Sequence, residues 1–234
     1  MNVGDGNSRS RPSVVHGHRR RLRQRFGTGH LTGLQDYEAL ELLLTFSLPR
    51  IDTKPIARTL LKRFGGLVGV FGASEHELQE VAGVGPRTAT LLTLLREVSS
   101  ACLRDGLAKR SVLNNPGDVA DYARMALAGR STEACLLLFL DAKNHIIGEE
   151  LVAEGTVDRA TVLPRRVIEL ALSRKAAGFI LIHNHPSGTA DPSAEDDRLT
   201  RKVKAAAAAV ELRFVDHLIV ASGGNYSYRQ SGAM

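Results

Sequence analysis

The chain has 234 residues, of which 43% are apolar and 24% charged, as in an ordinary globular protein. That length is enough for one large domain or two small ones. The longest apolar runs, such as residues 134–140, fall far short of the roughly 20 residues that a membrane-spanning helix needs. The first residues contain no apolar secretion signal. We therefore expect a protein that is not embedded in a membrane.

The two cysteines, Cys102 and Cys135, cannot form a disulfide framework or a cysteine zinc site, which favours the reducing cytoplasm. The charge is unevenly distributed along the chain. Residues 1–110 contain 17 Lys and Arg against 10 Asp and Glu, a net charge of +7, whereas residues 111–234 contain 14 against 15, a net charge of −1. This asymmetry is typical of two segments with different partners.

The N-terminal half is predicted to be helical. Residues 1–17 lack periodicity and predict a disordered tail. The basic run from Arg19 to Arg25 indicates either a solvated helix start or an arm that contacts phosphates. From Asp36 onwards, apolar residues recur at helical spacing. We assign residues 18–108 to a small all-helical domain and residues 109–117 to a linker.

Within the helical domain, the segment Glu80–Ala89 predicts a helix, a tight turn and a second helix. It resembles a helix-hairpin-helix, whose Gly-x-Gly turn presents backbone N–H groups to a phosphate. Gly83 and Gly85 would form the turn, and Arg87 would add a charge contact. The alternative is that the two glycines only connect two packed helices. Under the first interpretation, residues 18–108 bind duplex DNA without sequence preference.

The C-terminal half changes its periodicity. Two strands, Ala134–Leu140 and Ile146–Val152, are predicted to form a hairpin around the turn at 143–145. The elements predicted after them are a helix, a strand, a helix and a strand, at Pro164–Ala176, Ala177–Ile182, Ser193–Val210 and Phe214–Val220. Alternating strands and helices predict an α/β or α+β sheet domain over residues 118–234.

The most informative segment of the sequence runs from His183 to Asp196. His183 and His185 stand two residues apart at the end of an apolar strand, so the period-two alternation places both imidazoles on one face. A short loop then leads into a helix whose first turn carries Asp196. Two imidazoles and one carboxylate, with the fourth position open, suit a catalytic zinc ion.

Other interpretations of these residues remain open. The two histidines could be surface residues, and Ser193-x-x-Asp196 is also the pattern of a helix capping box. A capping box accounts for Asp196 alone and leaves the histidines unexplained. Iron oxygenases use the same ligand types, but usually in the order His-x-Asp with a distant histidine. The joint pattern therefore favours zinc.

The string His-Asn-His-Pro-Ser-Gly at residues 183–188, followed by Pro-Ser-x-x-Asp at 192–196, resembles the signature of the RadC branch of the JAMM (MPN+) metalloprotease superfamily. Similar pieces occur at Phe139–Asn144, Glu154–Asp158 and Asp216–Val220. The resemblance extends over the chain from about residue 18. Thr189-Ala190 stand where RadC proteins usually have Asp-Pro. The resemblance implies a cytidine-deaminase-like/JAMM mixed sheet with flanking helices, preceded by the small helical domain.

The resemblance also implies roles for individual residues. It assigns the zinc to the three ligands named above, gives Ser193 the task of stabilising an oxyanion, and requires a general base on an earlier strand. Glu133 is the best match for that base, and Glu154 is a rival. The implied activity is a zinc-dependent hydrolase of metallopeptidase or isopeptidase type, acting on a peptide or protein substrate. The alternative is a DNA-binding or DNA-repair-associated accessory protein with a structural or vestigial metal site.

Overall fold

The computed structural model describes residues 14–108, 110–113, 116–130, 132–154 and 162–234, apart from the side chains of 14–16, 153 and 154. Most of the predicted tail and part of the predicted linker therefore lie outside the described residues. The described residues form two compact units, one up to Val70 with Glu75–Leu91 and the other of Phe71–Ser74 with the chain from Leu92 onwards. None of the helices in these ranges is long and apolar enough to cross a membrane.

The helical elements come first along the chain. They are α1 (Val14–Gly29), a short 3-10 helix (His30–Gly33), α2 (Asp36–Ser47), α3 (Lys54–Phe64), α4 (Leu67–Gly72), α5 (Glu75–Gln79), α6 (Pro86–Ala108) and α7 (Pro116–Leu127). In the first unit, α2 is buried over most of its circumference and packs against α3. Gln35 and Glu38 form a capping box at the start of α2, and Pro55 lies in the first turn of α3.

The predicted helix, turn and helix around the two glycines is confirmed. Helix α5 ends at Gln79 and α6 begins at Pro86. Gly83 has φ +89°, and a Cβ atom there would lie 2.8 Å from the side chain of Ile56. Glycine is therefore the residue that this turn requires. Gly85 has neither a positive φ nor an atom within 4 Å of a Cβ atom.

The second unit contains the sheet. After α7, its strands and helices are β1 (Ala134–Leu140), β2 (Ile146–Glu154), α8 (Pro164–Ser173), β3 (Gly178–Asn184), α9 (Ala194–Ala209), β4 (Arg213–Ala221) and β5 (Gly224–Ser227). The strand order is β2-β1-β3-β4-β5, with β3 and β4 parallel and the other neighbours antiparallel. This is the mixed sheet with flanking helices that the resemblance implies. Each strand and helix predicted for residues 118–234 is present, with its ends moved by no more than a few residues.

Alternate residues along the strands feed two apolar cores, one on each face of the sheet. On one face, Leu138 and Ile180 belong to a core that includes residues of α7. On the other face, Leu137 and Leu181 belong to a core that includes residues of α8 and α9. His183 follows Leu181 by two residues, so the same alternation directs its side chain to the face that α9 covers.

Candidate metal centre

The carboxyl ends of the parallel strands β3 and β4 meet at one edge of the sheet, and α9 begins beside that edge. His183 is the second-last residue of β3 and pairs with Ile219 of β4. His185 follows the strand, and its backbone N–H donates to the Val220 carbonyl at 2.9 Å, which continues the pairing. Asp196 lies in the first turn of α9. Three short pieces of local structure thus bring the predicted ligands together.

Three side chains converge at this edge. His183 Nε2 lies 2.9 Å from His185 Nε2 and 3.2 Å from Asp196 Oδ1, and His185 Nε2 lies 3.5 Å from Asp196 Oδ2. Ligand atoms on a tetrahedral zinc ion lie about 3.3 Å apart, given bonds of about 2.0–2.1 Å. The three side chains are only 7%, 11% and 14% exposed, in the order named. They therefore have the spacing and shielding that ligands of one metal ion need.

Hydrogen bonds on the far side of each ring determine which nitrogens carry protons. His185 Nδ1 lies 3.0 Å from the Thr189 carbonyl, which can only accept, so this nitrogen donates and Nε2 has a lone pair in the neutral ring. His183 Nδ1 lies 2.9 Å from His217 Nε2. His217 Nδ1 in turn lies 2.6 Å from the Thr200 hydroxyl, which donates its own proton to the Asp196 carbonyl at 2.6 Å.

The proton positions follow along this chain of bonds. Because Thr200 donates its only hydroxyl proton to a carbonyl, it accepts from His217 Nδ1–H and leaves His217 Nε2 as an acceptor. His183 must then donate from Nδ1, so its Nε2 also has a lone pair. Two imidazole lone pairs and the Asp196 carboxylate therefore face one another. Only a proton or a metal cation between them makes this arrangement favourable.

His217 is fully buried and stacks on Tyr228, with ring centroids 5.0 Å apart and an angle of 8° between the planes. The Tyr228 hydroxyl donates to Asp197 Oδ1 at 2.7 Å, which holds the stacked ring in place. Burial holds the pKa of His217 well below its ordinary value, and the charge of His183 acts in the same direction. A neutral His217 is what the chain of hydrogen bonds requires.

Two of the three predicted ligands have shifted pKa values. Burial by itself raises the pKa of Asp196, but the hydrogen bonds with His183 and His185 outweigh it and lower that pKa well below its ordinary value. The hydrogen bond with Asp196 raises the pKa of His185, against the opposing effect of burial. Both shifts reflect the attraction between the His185 imidazole and the Asp196 carboxylate.

Ser193 and Asp196 also form a capping box at the start of α9. The Asp196 N–H donates to Ser193 Oγ at 3.2 Å, and the Ser193 N–H donates to Asp196 Oδ2 at 2.7 Å. The capping and ligand interpretations of Asp196 are thus compatible, because the cap orients the carboxylate whose Oδ1 faces His183. Ser193 Oγ accepts in this cap, so its own proton can be donated elsewhere.

Glu133 lies immediately before β1, at the same edge of the sheet as the ligands, because β1 runs antiparallel to β3. Its half-buried carboxylate is close enough to contribute to the raised pKa of His185. The rival base, Glu154, is the last residue of β2 and pairs with Ala134. Its side chain and the motif residues 155–158 lie outside the described residues, so the choice between the two glutamates stays a prediction.

The predicted phosphate-contacting residues, all in the first unit, have different surroundings. Arg19 is buried and donates to three backbone carbonyls just beyond the end of α2. Arg25 forms a bidentate ion pair with Glu38, at 2.6 and 2.9 Å. Both side chains are therefore used inside the unit. Arg20, Arg21, Arg23 and Arg87 are exposed, and so is Arg25, although the ion pair holds its guanidinium.

A family model described as a RadC-like JAB domain matches residues 113–233. The chain is also 41% identical to a UPF0758 protein of Ruegeria pomeroyi over 221 residues, which are 94% of this chain and 99% of the relative. The chain belongs to the RadC family. A UPF0758 protein of Rhodobacter capsulatus is likewise 41% identical over 213 residues, which are 91% of this chain and all of the relative. The resemblance carried by the sequence motifs is thus confirmed, and the fold is consistent with a JAB-like domain.

Several residues of this RadC site were assigned no role from the sequence. His217 and Asn184 lie inside strings that resemble RadC motifs, but their spacing does not reveal their partners. Thr200 and Tyr228 carried no signal at all. The partners of all four become visible only when β4, α9 and the segment before β1 are brought to the same edge of the sheet.

Proposed function

We propose that this RadC-family protein is a zinc-dependent hydrolase of peptide or isopeptide bonds. The observation that supports the proposal is the convergence of three acceptor atoms, from His183, His185 and Asp196, in a shielded space where they need a cation. Both cysteines are free thiols, which fits an activity in the reducing cytoplasm.

The proposed roles are those that the resemblance to RadC proteins implies for each side chain. His183, His185 and Asp196 would hold the zinc, and the fourth position would stay open. Zinc supplies Lewis-acid chemistry, lowering the pKa of water toward 7 and polarising a carbonyl. Glu133 would take the proton of the attacking water on its carboxylate and return it to the leaving nitrogen. Ser193 would donate its hydroxyl proton to the developing oxyanion.

The ligand assignment is tested by metal analysis of purified variants. Replacing His183, His185 or Asp196 with alanine should remove most of the bound zinc, because each change removes one of three protein donors. Glu195→Ala is the matched control, since it removes a carboxylate from the same helical turn but outside the cluster. Stoichiometric zinc in the His183→Ala and His185→Ala proteins would show that the metal is bound elsewhere.

The base assignment is tested by comparing Glu133→Gln with Glu154→Gln on the same fluorescence-quenched peptide library. Glu133→Gln preserves the shape of the side chain and removes its basicity. We expect zinc content and folding to survive while hydrolysis falls by about 10²–10⁴-fold. If only Glu154→Gln abolishes turnover, Glu154 is the base. If neither change matters while zinc is still bound, the hydrolase proposal is wrong.

A second candidate function is non-specific binding of duplex DNA through the predicted helical domain, residues 18–108. It is supported by the exposed arginines of α1 and by Arg87, which lies in the first turn of α6 next to the exposed turn at Gly83 and Gly85. Phosphates are attracted both by such cations and by backbone N–H groups at a helix N-terminus. This candidate makes the protein a DNA-associated accessory protein, in which the metal site is structural or vestigial.

Gel-shift titrations of the full chain at two salt concentrations test this candidate. Arg20→Ala, Arg21→Ala and Arg23→Ala combined should weaken binding and reduce its salt dependence, because fewer counterions are released. Arg25→Ala is unsuitable for this purpose because Arg25 pairs with Glu38. Absence of binding by the unmodified protein at low salt would mean that the predicted helical domain docks a protein or is purely structural.

A further inference from the structure

Asn184 lies between the two histidine ligands but contributes no atom to the ligand cluster. It is buried, and both ends of its amide are engaged. Its Oδ1 accepts from the Ala134 N–H at 2.7 Å, and its Nδ2 donates to the Thr132 carbonyl at 3.2 Å. These are the two peptide groups on either side of Glu133. One side chain therefore holds the backbone both before and after the proposed base.

The position of Glu133 just before the sheet explains why such a contact is needed. The ladder of β1 begins at Ala134, which pairs with Glu154, and Cys135 pairs with His183. Glu133 precedes this ladder, so no strand neighbour among the described residues orders it. The two hydrogen bonds from Asn184 fix the backbone of Glu133, one residue before the ladder begins. They therefore order the residue whose carboxylate is the proposed base.

The chemistry of the side chain matches this task. A carboxamide offers a carbonyl acceptor and an N–H donor on one rigid plane, so it can bond a backbone N–H and a backbone carbonyl together. An ionised aspartate at position 184 would accept from Ala134 but could not donate to Thr132. An alanine would leave both peptide groups without their side-chain partner.

We propose that Asn184 is a positioning residue, which sets the distance between the base Glu133 and the metal ligands. This inference rests on the proposed function, because it takes Glu133 as the base. Asn184 shares a strand end with His183 and His185, so its two hydrogen bonds tie the segment that carries the base to the segment that carries the ligands. A displacement of about 1 Å at a reacting group can reduce a rate by about 10²-fold.

The test uses Asn184→Ala and Asn184→Asp in the zinc-loaded full chain, with Asn225→Ala as the matched control on an exposed position of β5. We expect Asn184→Ala to lower kcat by about 10²-fold with KM little changed and zinc content stoichiometric. Asn184→Asp retains one of the two bonds, so its loss should be smaller. Asn225→Ala should behave as the unmodified protein.

A double-mutant cycle separates positioning from general damage. If Asn184 acts through Glu133, adding Asn184→Ala to Glu133→Gln should cause little further loss of kcat, since the base is already gone. If the loss of kcat in the double variant equals the product of the two single losses, the inference is wrong. Unchanged kcat in both Asn184 variants would also overturn it. A Glu133→Gln protein that remains active with zinc bound would instead overturn the proposed base.

Hydrogen exchange gives a readout that does not depend on activity. The Ala134 amide should exchange faster in Asn184→Ala, because its acceptor is gone, while the Leu136 and Leu138 amides inside the ladder should be unaffected. If the unmodified protein hydrolyses no substrate, the proposed function fails. Exchange at Ala134 then decides alone whether Asn184 orders the segment: faster exchange supports it, and unchanged exchange refutes it.

Discussion

Replacing Thr200 with valine removes the hydroxyl at the outer end of the hydrogen-bond chain that determines the tautomer of His183. Valine has nearly the shape of threonine and a similar helix propensity, so α9 should keep its geometry. The lost contacts are the 2.6 Å bond to His217 Nδ1 and the 2.6 Å bond to the Asp196 carbonyl. The Asp196 carbonyl can still accept from a backbone N–H of α9, whereas His217 Nδ1–H has lost its partner.

The size of the effect follows from this buried donor. Leaving a buried N–H without a partner costs about 1–3 kcal/mol. His217 avoids that cost by carrying its proton on Nε2 instead, where it donates to His183 Nδ1. His183 then carries its own proton on Nε2, the nitrogen that faces Asp196. Zinc binding must reverse this shift, so we expect the zinc affinity to fall by about 10–100-fold, as for other partners of metal-binding histidines.

The assay is a competition for zinc between the metal-free protein and a chelator at constant pH. Thr200→Ser is the matched control, because it keeps the hydroxyl and should bind zinc as tightly as the unmodified protein. Nitrogen NMR of the metal-free proteins reports directly which nitrogen of His183 carries the proton. Unchanged zinc affinity in Thr200→Val, or the same tautomer of His183 with and without the hydroxyl, would refute the proposed chain of proton positions.

Two further predictions concern the turn and the proton in the cluster. Gly83→Ala should lower the free energy of unfolding by about 1–2 kcal/mol in urea titrations, because of its positive φ and the contact with Ile56, whereas Gly85→Ala should be nearly neutral. Equal effects at both positions would contradict the strain argument. Because Asp196 raises the pKa of His185, the metal-free cluster keeps its proton to a higher pH than a free imidazole, and zinc must displace it. Zinc affinity should therefore rise with pH, and calorimetry in two buffers of different ionisation enthalpy should detect proton release; heats independent of the buffer would contradict this.

The local parts of the fold and of the site could be predicted from the sequence. Strand β1 has the predicted ends, and β3 extends two residues beyond the predicted Ile182. The spacing of His183 and His185 was sufficient to place both imidazoles on one side, because alternation along a strand is a property of the backbone itself. Asp196 followed from a short loop and a helix start, which also depend only on nearby residues.

The partners of these ligands depended on the tertiary structure. His217 meets His183 because β4 pairs in parallel with β3 in one particular register, and Thr200 meets His217 because α9 packs on that face of the sheet. Glu133 reaches the same edge because β1 runs antiparallel to β3. Register is set by the burial of whole strand faces, which no short motif encodes.

The arginines of α1 also show which properties the sequence determines and which depend on the tertiary structure. In the sequence, Arg19, Arg20, Arg21, Arg23 and Arg25 are equivalent cations. In the fold, Arg19 donates to carbonyls beyond the end of α2, and Arg25, although exposed, pairs with Glu38. The other three are exposed as well. Composition determined that this half of the chain is basic. Only the packing of α1 against α2 decided which guanidinium groups form contacts within the unit. The reason is that electrostatic attraction depends on the distance between two charges in space and not on their separation along the chain.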